Sequence, residues 1–528
     1  MGKWSIDRVL SNRQQQSYVV NIGAFCAALL IVALVCILSL IALRGLDYFW
    51  PQPVQSITFT SPTGQSQQVY AQVGERHINS AQQNATTDVL FQYSDKHYPY
   101  GRQVLIESQF MGQITTAPEA ANILLNDGTR VFSQPIDIRL PGEETTSLAN
   151  FQDVRATVAD IRQLIESLRE AKLAPIHRDL AQLDLRQVER DAPARLRLYE
   201  SFERWQQEAV RFETQLTDYQ LHTRFSDGSE FFIPIDSIAR LSYPGQLDTL
   251  GKLKLVWSGI GDFLTQAPKQ ANTAGGVFPA LFGTVLMIFV MTILVTPFGV
   301  LAAVYLNEYA PNNHYTSVIR ICVSNMAGVP SIVYGVFGLG FFVYQVGGNI
   351  DKLFFSDALP APTMGTPGVF WASLTMAILT LPVVIVATEE GLKRVPEGLR
   401  AGSYALGATK LETIWHTVLP MASPGIMTGV ILAIARAAGE VAPLMMVGAV
   451  KFAPNLPFDG EFPYLHLDRQ FMHLGVLIYD GAFHSQTDVR SASLMFASCL
   501  LLLFVVFVLN VLTVILRRRL RKRYLRGY

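Results

Sequence analysis

Residues 396–440 read PEGLRAGSYALGATKLETIWHTVLPMASPGIMTGVILAIARAAGE. Pro396 suits the first position of a helix, where its missing N–H would be unpaired anyway, and Gly407 suits the left-handed residue that ends one. Thr409, Lys410, Leu411 and Glu412 form a capping-box pattern, with Glu412 reaching back to the cap. Leu411, Ile414 and Val418 recur at helical spacing before Pro420, which is expected to stop that helix, while Ser423 and Pro424 are expected to open the next. The stretch predicts a helix, a glycine turn, a second helix, a proline stop and a membrane helix.

That membrane helix carries an arginine and a glutamate. Arg436 lies twelve residues past Pro424, which at ~1.5 Å per residue is ~18 Å, near the middle of a ~30 Å hydrocarbon core. Glu440 is expected one turn further on the same face, where the two charges can neutralise each other. An ionisable residue at that depth costs ~2.5–3.5 kcal/mol on insertion scales, so it faces a bundle interior or an aqueous path. Ala433, Ala435, Ala437, Ala438 and Gly439 leave room for either close packing or a cavity. A structural ion pair between helices is one reading. The other is an anion site, because a guanidinium can bind two oxygens of a tetrahedral oxyanion at once.

Working outward, apolar segments run from about Tyr18 to Leu43, Val277 to Leu306, Val318 to Val346, Val369 to Ala387, Ile426 to Val450 and Ala492 to Leu516. The first is followed at once by Arg44 in place of a small-residue cleavage site, so it reads as a span and not a signal peptide. With 528 residues, 50% of them hydrophobic and 16% charged, the composition is that of an integral membrane protein. Its zero formal net charge argues against bulk binding of nucleic acid. Basic residues at both ends (Lys3, Arg8 and Arg13; RRRLRKRYLRGY after Leu516) place both termini in the cytoplasm, as six spans require. Lys393, Arg394, Arg400 and Lys410 put the helix pair on the same side.

The predicted organisation is a cytoplasmic N-terminus over 1–18, a first transmembrane helix over 19–43, an outer domain over 44–272, a transmembrane domain over 273–516 with its inner loop at 389–422, and a basic tail over 517–528. The outer domain reads as α+β. Gln55 to Thr60, Gln103 to Ser108, Pro135 to Leu140 and Glu230 to Ile238 resemble strands. Val154, Val158, Ile161, Ile165 and Leu168, then Leu198, Phe202, Trp205, Ala209, Phe212 and Leu216, follow heptad spacing and predict a helical hairpin punctuated by Pro175 and Pro193.

The helix-pair stretch resembles the coupling-loop signature of bacterial ABC importer permeases: an E-A-A triplet, a glycine four residues after it, and a Leu-Pro twelve residues beyond that. Gly407, Leu419 and Pro420 match, while the triplet stands as Ala401-Gly402-Ser403 and lacks its acid. ARAAGEVAPL, together with GGVFPALFGT at 275–284, NMAGVPSIVYGVFGLGFF at 325–342 and TEEGLKRVPEGLR at 388–400, resembles phosphate ABC transporter permeases of the PstA type.

The resemblance implies six transmembrane helices of the ABC importer permease type, with a large α+β periplasmic insertion between the first two, in a bacterial inner membrane. It implies a second permease subunit of the PstC type, an ATPase dimer of the PstB type, a periplasmic phosphate-binding protein of the PstS type and a lipid surround. Arg436 and Glu440 would line the substrate path, with Asn325 and Ser331 as weaker candidates beside the mid-helix Pro330. Ala401, Gly402, Gly407, Leu419 and Pro420 would meet the ATPase.

No G-x-x-x-x-G-K-[ST] loop occurs, so ATP and Mg are expected on the partner ATPase, with no cofactor in this chain and no enzymatic activity. Cys26, Cys36, Cys322 and Cys499 all fall in apolar runs. His466, Asp468 and His473 are poorly spaced for a metal, and none is expected. Two alternatives stay open: a permease for sulfate, molybdate or phosphonate, and a membrane sensor or scaffold.

Overall fold

In lipid a backbone must satisfy its own polar groups, which is why long apolar runs become helices. The computed structural model describes residues 12–60, 66–79, 86–142, 144–185, 192–269, 274–356, 360–460, 462–483 and 491–525. Among these, six helices are long and apolar enough to cross a membrane: Val20–Asp47, Phe278–Tyr309, Ser331–Phe354, Val369–Lys393, Lys410–Gly439 and Ala492–Ile515. The basic residues Lys3 and Arg8 lie outside the described residues. The chain divides into two units, residues 50–261 and the residues before and after them.

The first membrane helix is α1 (Asn12–Asp47). The unit that follows holds two antiparallel sheets. β1 (Gln55–Thr60), β2 (Ser66–Asn79), β3 (Thr86–Ser94), β4 (Arg102–Glu107) and β5 (Met111–Thr116) form one in the order β4-β3-β2-β1-β5. Ile57, Phe59, Val69, Phe91 and Tyr93 fill its buried face. The second contains β6 (Ala121–Leu125), β7 (Arg130–Arg139), a short β8 (Thr145–Thr146), β9 (Gln220–Arg224), β10 (Glu230–Pro234) and β11 (Ile238–Ser242).

Against this second sheet pack α2 (Phe151–Leu168) and α4 (Pro193–Asp218), through Val154, Val158, Ile165 and Leu216. Of the two prolines expected to punctuate the hairpin, Pro193 opens α4, whereas the chain stays helical through Pro175 to Leu185. A wide π-turn over Arg169–Leu173 carries the chain directly from α2 into α3 (Ala174–Leu185), so Pro175 stands just past a turn of different hydrogen-bond register and not in a regular α-helical ladder. The hairpin is antiparallel, since Arg169 meets Glu213, Lys172 lies over Trp205 and His177 meets Phe202. After β11 comes α5 (Thr249–Thr265).

In the membrane unit, α6 (Phe278–Val304) ends in a π-turn over Tyr305–Tyr309, and α7 (His314–Met326) follows. The apolar stretch Val318 to Val346, expected as one span, is broken. α7 stops at Met326, and α8 (Ser331–Phe337) starts after Pro330 and runs through wide turns over Gly338–Gly347 into α9 (Gly348–Phe354). Proline removes an N–H and disfavours helix in the residue before it. The Tyr334 hydroxyl reaches back and donates to the Met326 carbonyl at 2.8 Å, satisfying one group at the break.

α10 (Val369–Lys393) is the central helix. Two apolar clusters are stacked along it. One joins Met287 and Met291 of α6 to Val369, Met376 and Val384, with Ala433, Ala437 and Ala438. The other joins Ala303 and Leu306 to Ile385, Leu392, Val395, Ile414 and Val418. After α10 come α11 (Glu397–Ala405) and α12 (Lys410–Thr413), a π-turn over Ile414–Val418 and α13 (Leu419–Gly439).

Pro420 therefore does not stop a helix, and Pro424 does not open one. The run from Lys410 to Gly439 is continuous, because Pro420 falls in the first turn after the π-turn. The stretch Ile426 to Val450 is not one helix either: α13 ends at Gly439, α14 is short (Ala442–Val447), and Ala449–Val450 pairs in parallel with Phe471–Met472. α15 (Leu474–Phe483) and α16 (Ser491–Leu525) complete the unit. α16 lies against α1 so closely that a Cβ on Gly45 would stand 2.9 Å from the Phe496 carbonyl oxygen.

Candidate functional site

Arg436 occupies the last turn of α13, three residues from its end, and not the middle of a longer helix. Glu440 is not one turn on along the same helix. It caps α13 in an extended conformation, φ −84° and ψ 130°. The ion pair persists across that break, with Arg436 Nε 3.7 Å from Glu440 Oε1. Its geometry is loose, and among the described residues the buried Nε meets no hydrogen-bond partner. Ala433, Ala437 and Ala438 face the apolar cluster and are fully buried, whereas the Arg436 and Glu440 side chains are 34% and 23% exposed. The charges thus sit at the edge of the packed unit, with donors open to a further group.

The break at Ala327–Pro330 comes to the same cluster, since Met326 and Val329 pack against it. Gly335 holds the two breaks together: a Cβ there would lie 2.7 Å from Pro443 Cα, so only glycine lets α8 approach α14 this closely. Asn325 is exposed near the end of α7, and its carbonyl accepts the Gly328 N–H at 2.9 Å. Ser331 opens α8. Among the described residues, no hydrogen bond or ion pair joins Asn325 or Ser331 to Arg436 or Glu440.

The loop helices take the form read from their punctuation. Gly407 has φ +88°, and the Thr409–Glu412 capping box is complete. Ala401, Gly402 and Gly407 are exposed, as are Leu406 (91%), Leu411 and Trp415. Leu419 and Pro420 are half-buried, Leu419 against the second cluster.

Sequence reasoning missed the anchor of this loop. Arg400 Nη2 lies 3.0 Å from Glu308 Oε1 in the π-turn at the end of α6, and it also donates to the Leu392 carbonyl at 2.9 Å. The available signal was a pair of acids just beyond apolar runs, Glu308 in NEYAP and Glu389 in TEE. Glu389 faces Arg320 at 3.9 Å and Lys393 at 3.8 Å.

In the outer loop, His466 pairs with Asp459 at 3.1 Å. His473 is buried, with Nδ1 accepting the Gly475 N–H at 3.1 Å. Among the described residues, no three His, Cys, Asp or Glu side chains gather as a metal group.

These features describe a helical membrane protein with a loop-borne helix pair and a charged pair at a helix break. The family described as "Binding-protein-dependent transport system inner membrane component" matches residues 295–524. The chain is 38% identical over 195 residues to the phosphate transport system permease protein PstA 1 of Mycobacterium tuberculosis (strain CDC 1551 / Oshkosh), covering 37% of this chain and 58% of that protein. It is 32% identical over 252 residues to the phosphate transport system permease protein PstA of Yersinia pestis, covering 47% of this chain and 75% of that protein. A solved structure of the MetNI methionine ABC transporter in an inward-facing conformation aligns with TM-score 0.34 at 18% identity, over 46% of this chain and 94% of that one. The chain belongs to the inner membrane components of binding-protein-dependent transport systems, as a permease of the PstA type.

Proposed function

We propose that this chain is one of two permease subunits of an ATP-driven importer of inorganic phosphate. The observation that carries the reading is the Arg436–Glu440 pair, held at 3.7 Å where α13 ends and left partly open at the edge of the unit. Non-helical backbone at membrane depth is tolerated where it is buried in protein or lines a wet cavity. A guanidinium there offers paired donors to a tetrahedral oxyanion, and the nearby carboxylate keeps that anion from binding too tightly to leave. The open side of the pair fits a path completed by a second permease of the PstC type.

The other partners follow from the same reading. A periplasmic binding protein of the PstS type delivers phosphate to the outer face. An ATPase dimer of the PstB type, which holds ATP and Mg, receives the exposed helix pair around Ala401, Gly402 and Gly407 on the inner face. Both termini then lie in the cytoplasm and residues 44–272 in the periplasm of a bacterial inner membrane. Asn325 and Ser331 stand beside the second helix break as further path residues.

Uptake of labelled phosphate by the assembled transporter, challenged with sulfate, molybdate and phosphonate, tests the substrate. Phosphate uptake resistant to a large excess of the others is expected. Strong inhibition by one of them reassigns the chain to that oxyanion.

A further inference from the structure

Three cations from three helices converge on the five-residue π-turn Tyr305–Tyr309. Arg400 of α11 contacts the Glu308 carboxylate at 3.0 Å, and the Lys410 ammonium of α12 donates to the Glu308 carbonyl. Arg320 of α7 donates to the Leu306 carbonyl at 2.7 Å. Asn307 Nδ2 donates to the Glu308 carboxylate at 2.9 Å, and Lys410 lies 4.6 Å above the Tyr309 ring. Arg400 further donates to the carbonyls of Leu392 and Val395 at the end of α10, both at 2.9 Å. The Glu308 side chain is only 9% exposed and that of Arg400 18%, so this is a desolvated contact and not a solvated face.

A helix end gathers cations because its last carbonyls are unpaired and carry partial negative charge. Two features exceed that general effect. A π-turn is rare, and such turns frequently stand at functional sites. The two links also bracket the exposed Gly407 turn, one on α11 and one on α12, so neither helix of the pair can shift without dragging Glu308. A desolvated ion pair breaks only at high cost, since one charge would be left buried and alone.

We propose that Glu308 is the positioning residue through which the loop helices drive α6. Arg400 and Lys410 make α11, α12 and the end of α6 a single moving body. This rests on the importer reading for its mechanical role, but the rigidity of the body can be measured without any transported substrate.

The test uses the full transporter in proteoliposomes. Spin labels are placed at the exposed Tyr404 and Phe298 after replacement by cysteine, in a background whose four native cysteines are serines. In the wild type the label-to-label distance stays single and unchanged when ATP and vanadate are added. In Glu308→Gln and in Lys410→Gln it broadens on addition of nucleotide, and Lys410→Arg restores the narrow distribution. Phosphate moved per ATP hydrolysed falls ~5- to 150-fold in the two glutamine variants, the range of ordinary coupling between sites, while hydrolysis persists.

A nucleotide-dependent distance change in the wild type overturns the single-body proposal. So do glutamine variants with wild-type distances and wild-type phosphate per ATP. Should Glu308→Gln fail to assemble, Lys410→Gln decides, because Lys410 is exposed and its loss buries no charge. If wild-type transporter shows the constant distance yet moves no phosphate, the phosphate reading fails and the clamp stands.

Discussion

Arg436 and Glu440 face each other at 3.7 Å across the end of α13, with Gly439 the last helical residue between them. Because Glu440 has left the helix, the pair can open without unwinding a turn. Arg436→Lys keeps the charge but loses the planar fork of donors. It is expected to lower the maximal uptake rate at least ~10-fold, equivalent to ~1.4 kcal/mol of lost interaction. Glu440→Gln leaves the guanidinium without its counter-charge, so the apparent KM falls together with the maximal rate. Initial uptake rates across phosphate concentration check both, and wild-type kinetics in both variants would remove the pair from the path.

Gly425 of α13 crosses Gly391 of α10 at close range. A Cβ added to Gly425 would stand 2.6 Å from Gly391 Cα and 3.1 Å from the Ala387 carbonyl oxygen, so backbone would have to move. Gly425→Ala is therefore expected to cost ~1–3 kcal/mol, the usual penalty of overpacking. Gly398→Ala is the control, since among the described residues a Cβ there meets nothing within 4 Å and the φ is ordinary. It should be neutral or stabilising by up to ~1 kcal/mol. Thermal unfolding of both variants in the same detergent separates them, and equal midpoints would refute the close crossing.

His473 is buried and burial pushes its imidazole down to about 4, well below its usual 6.5. The folded protein therefore holds this ring neutral while the unfolded chain protonates it. Stability from this group is complete above pH 6.5 and is lost as pH falls toward 4, a swing on the order of 3 kcal/mol. The unfolding midpoint should drop between pH 7 and pH 5, and His473→Gln, which keeps a hydrogen-bond acceptor, should flatten that drop. An identical pH slope in the variant would show that the buried imidazole does not contribute.

Much of the architecture was legible because its signals are local. Run length and apolarity mark six spans, a glycine without a Cβ penalty marks the turn at Gly407, and Thr409 with Glu412 writes its own cap. In the insertion, β1 coincides with the expected Gln55 to Thr60, and the heptad positions Val154, Val158 and Ile165 face a core.

Proline was the least reliable signal. Pro420 is expected to stop a helix and Pro175 to punctuate the hairpin, yet both lie inside continuous runs, just past a π-turn that shifts the hydrogen-bond register. Pro330 does break its segment, with the Tyr334 hydroxyl taking up a carbonyl at the break.

By itself, then, the sequence determined what short-range chemistry can write: the spans, the turn, the cap and the presence of an arginine and a glutamate in an apolar run. Only the tertiary structure decided that Glu440 leaves its helix, that Gly335 locks two helix breaks together, and that Arg400 finds its acid 92 residues away in Glu308. The reason is physical. A charge at a membrane boundary needs a partner, but which partner it finds depends on how α6, α10 and α11 pack, and helical periodicity carries no record of that packing.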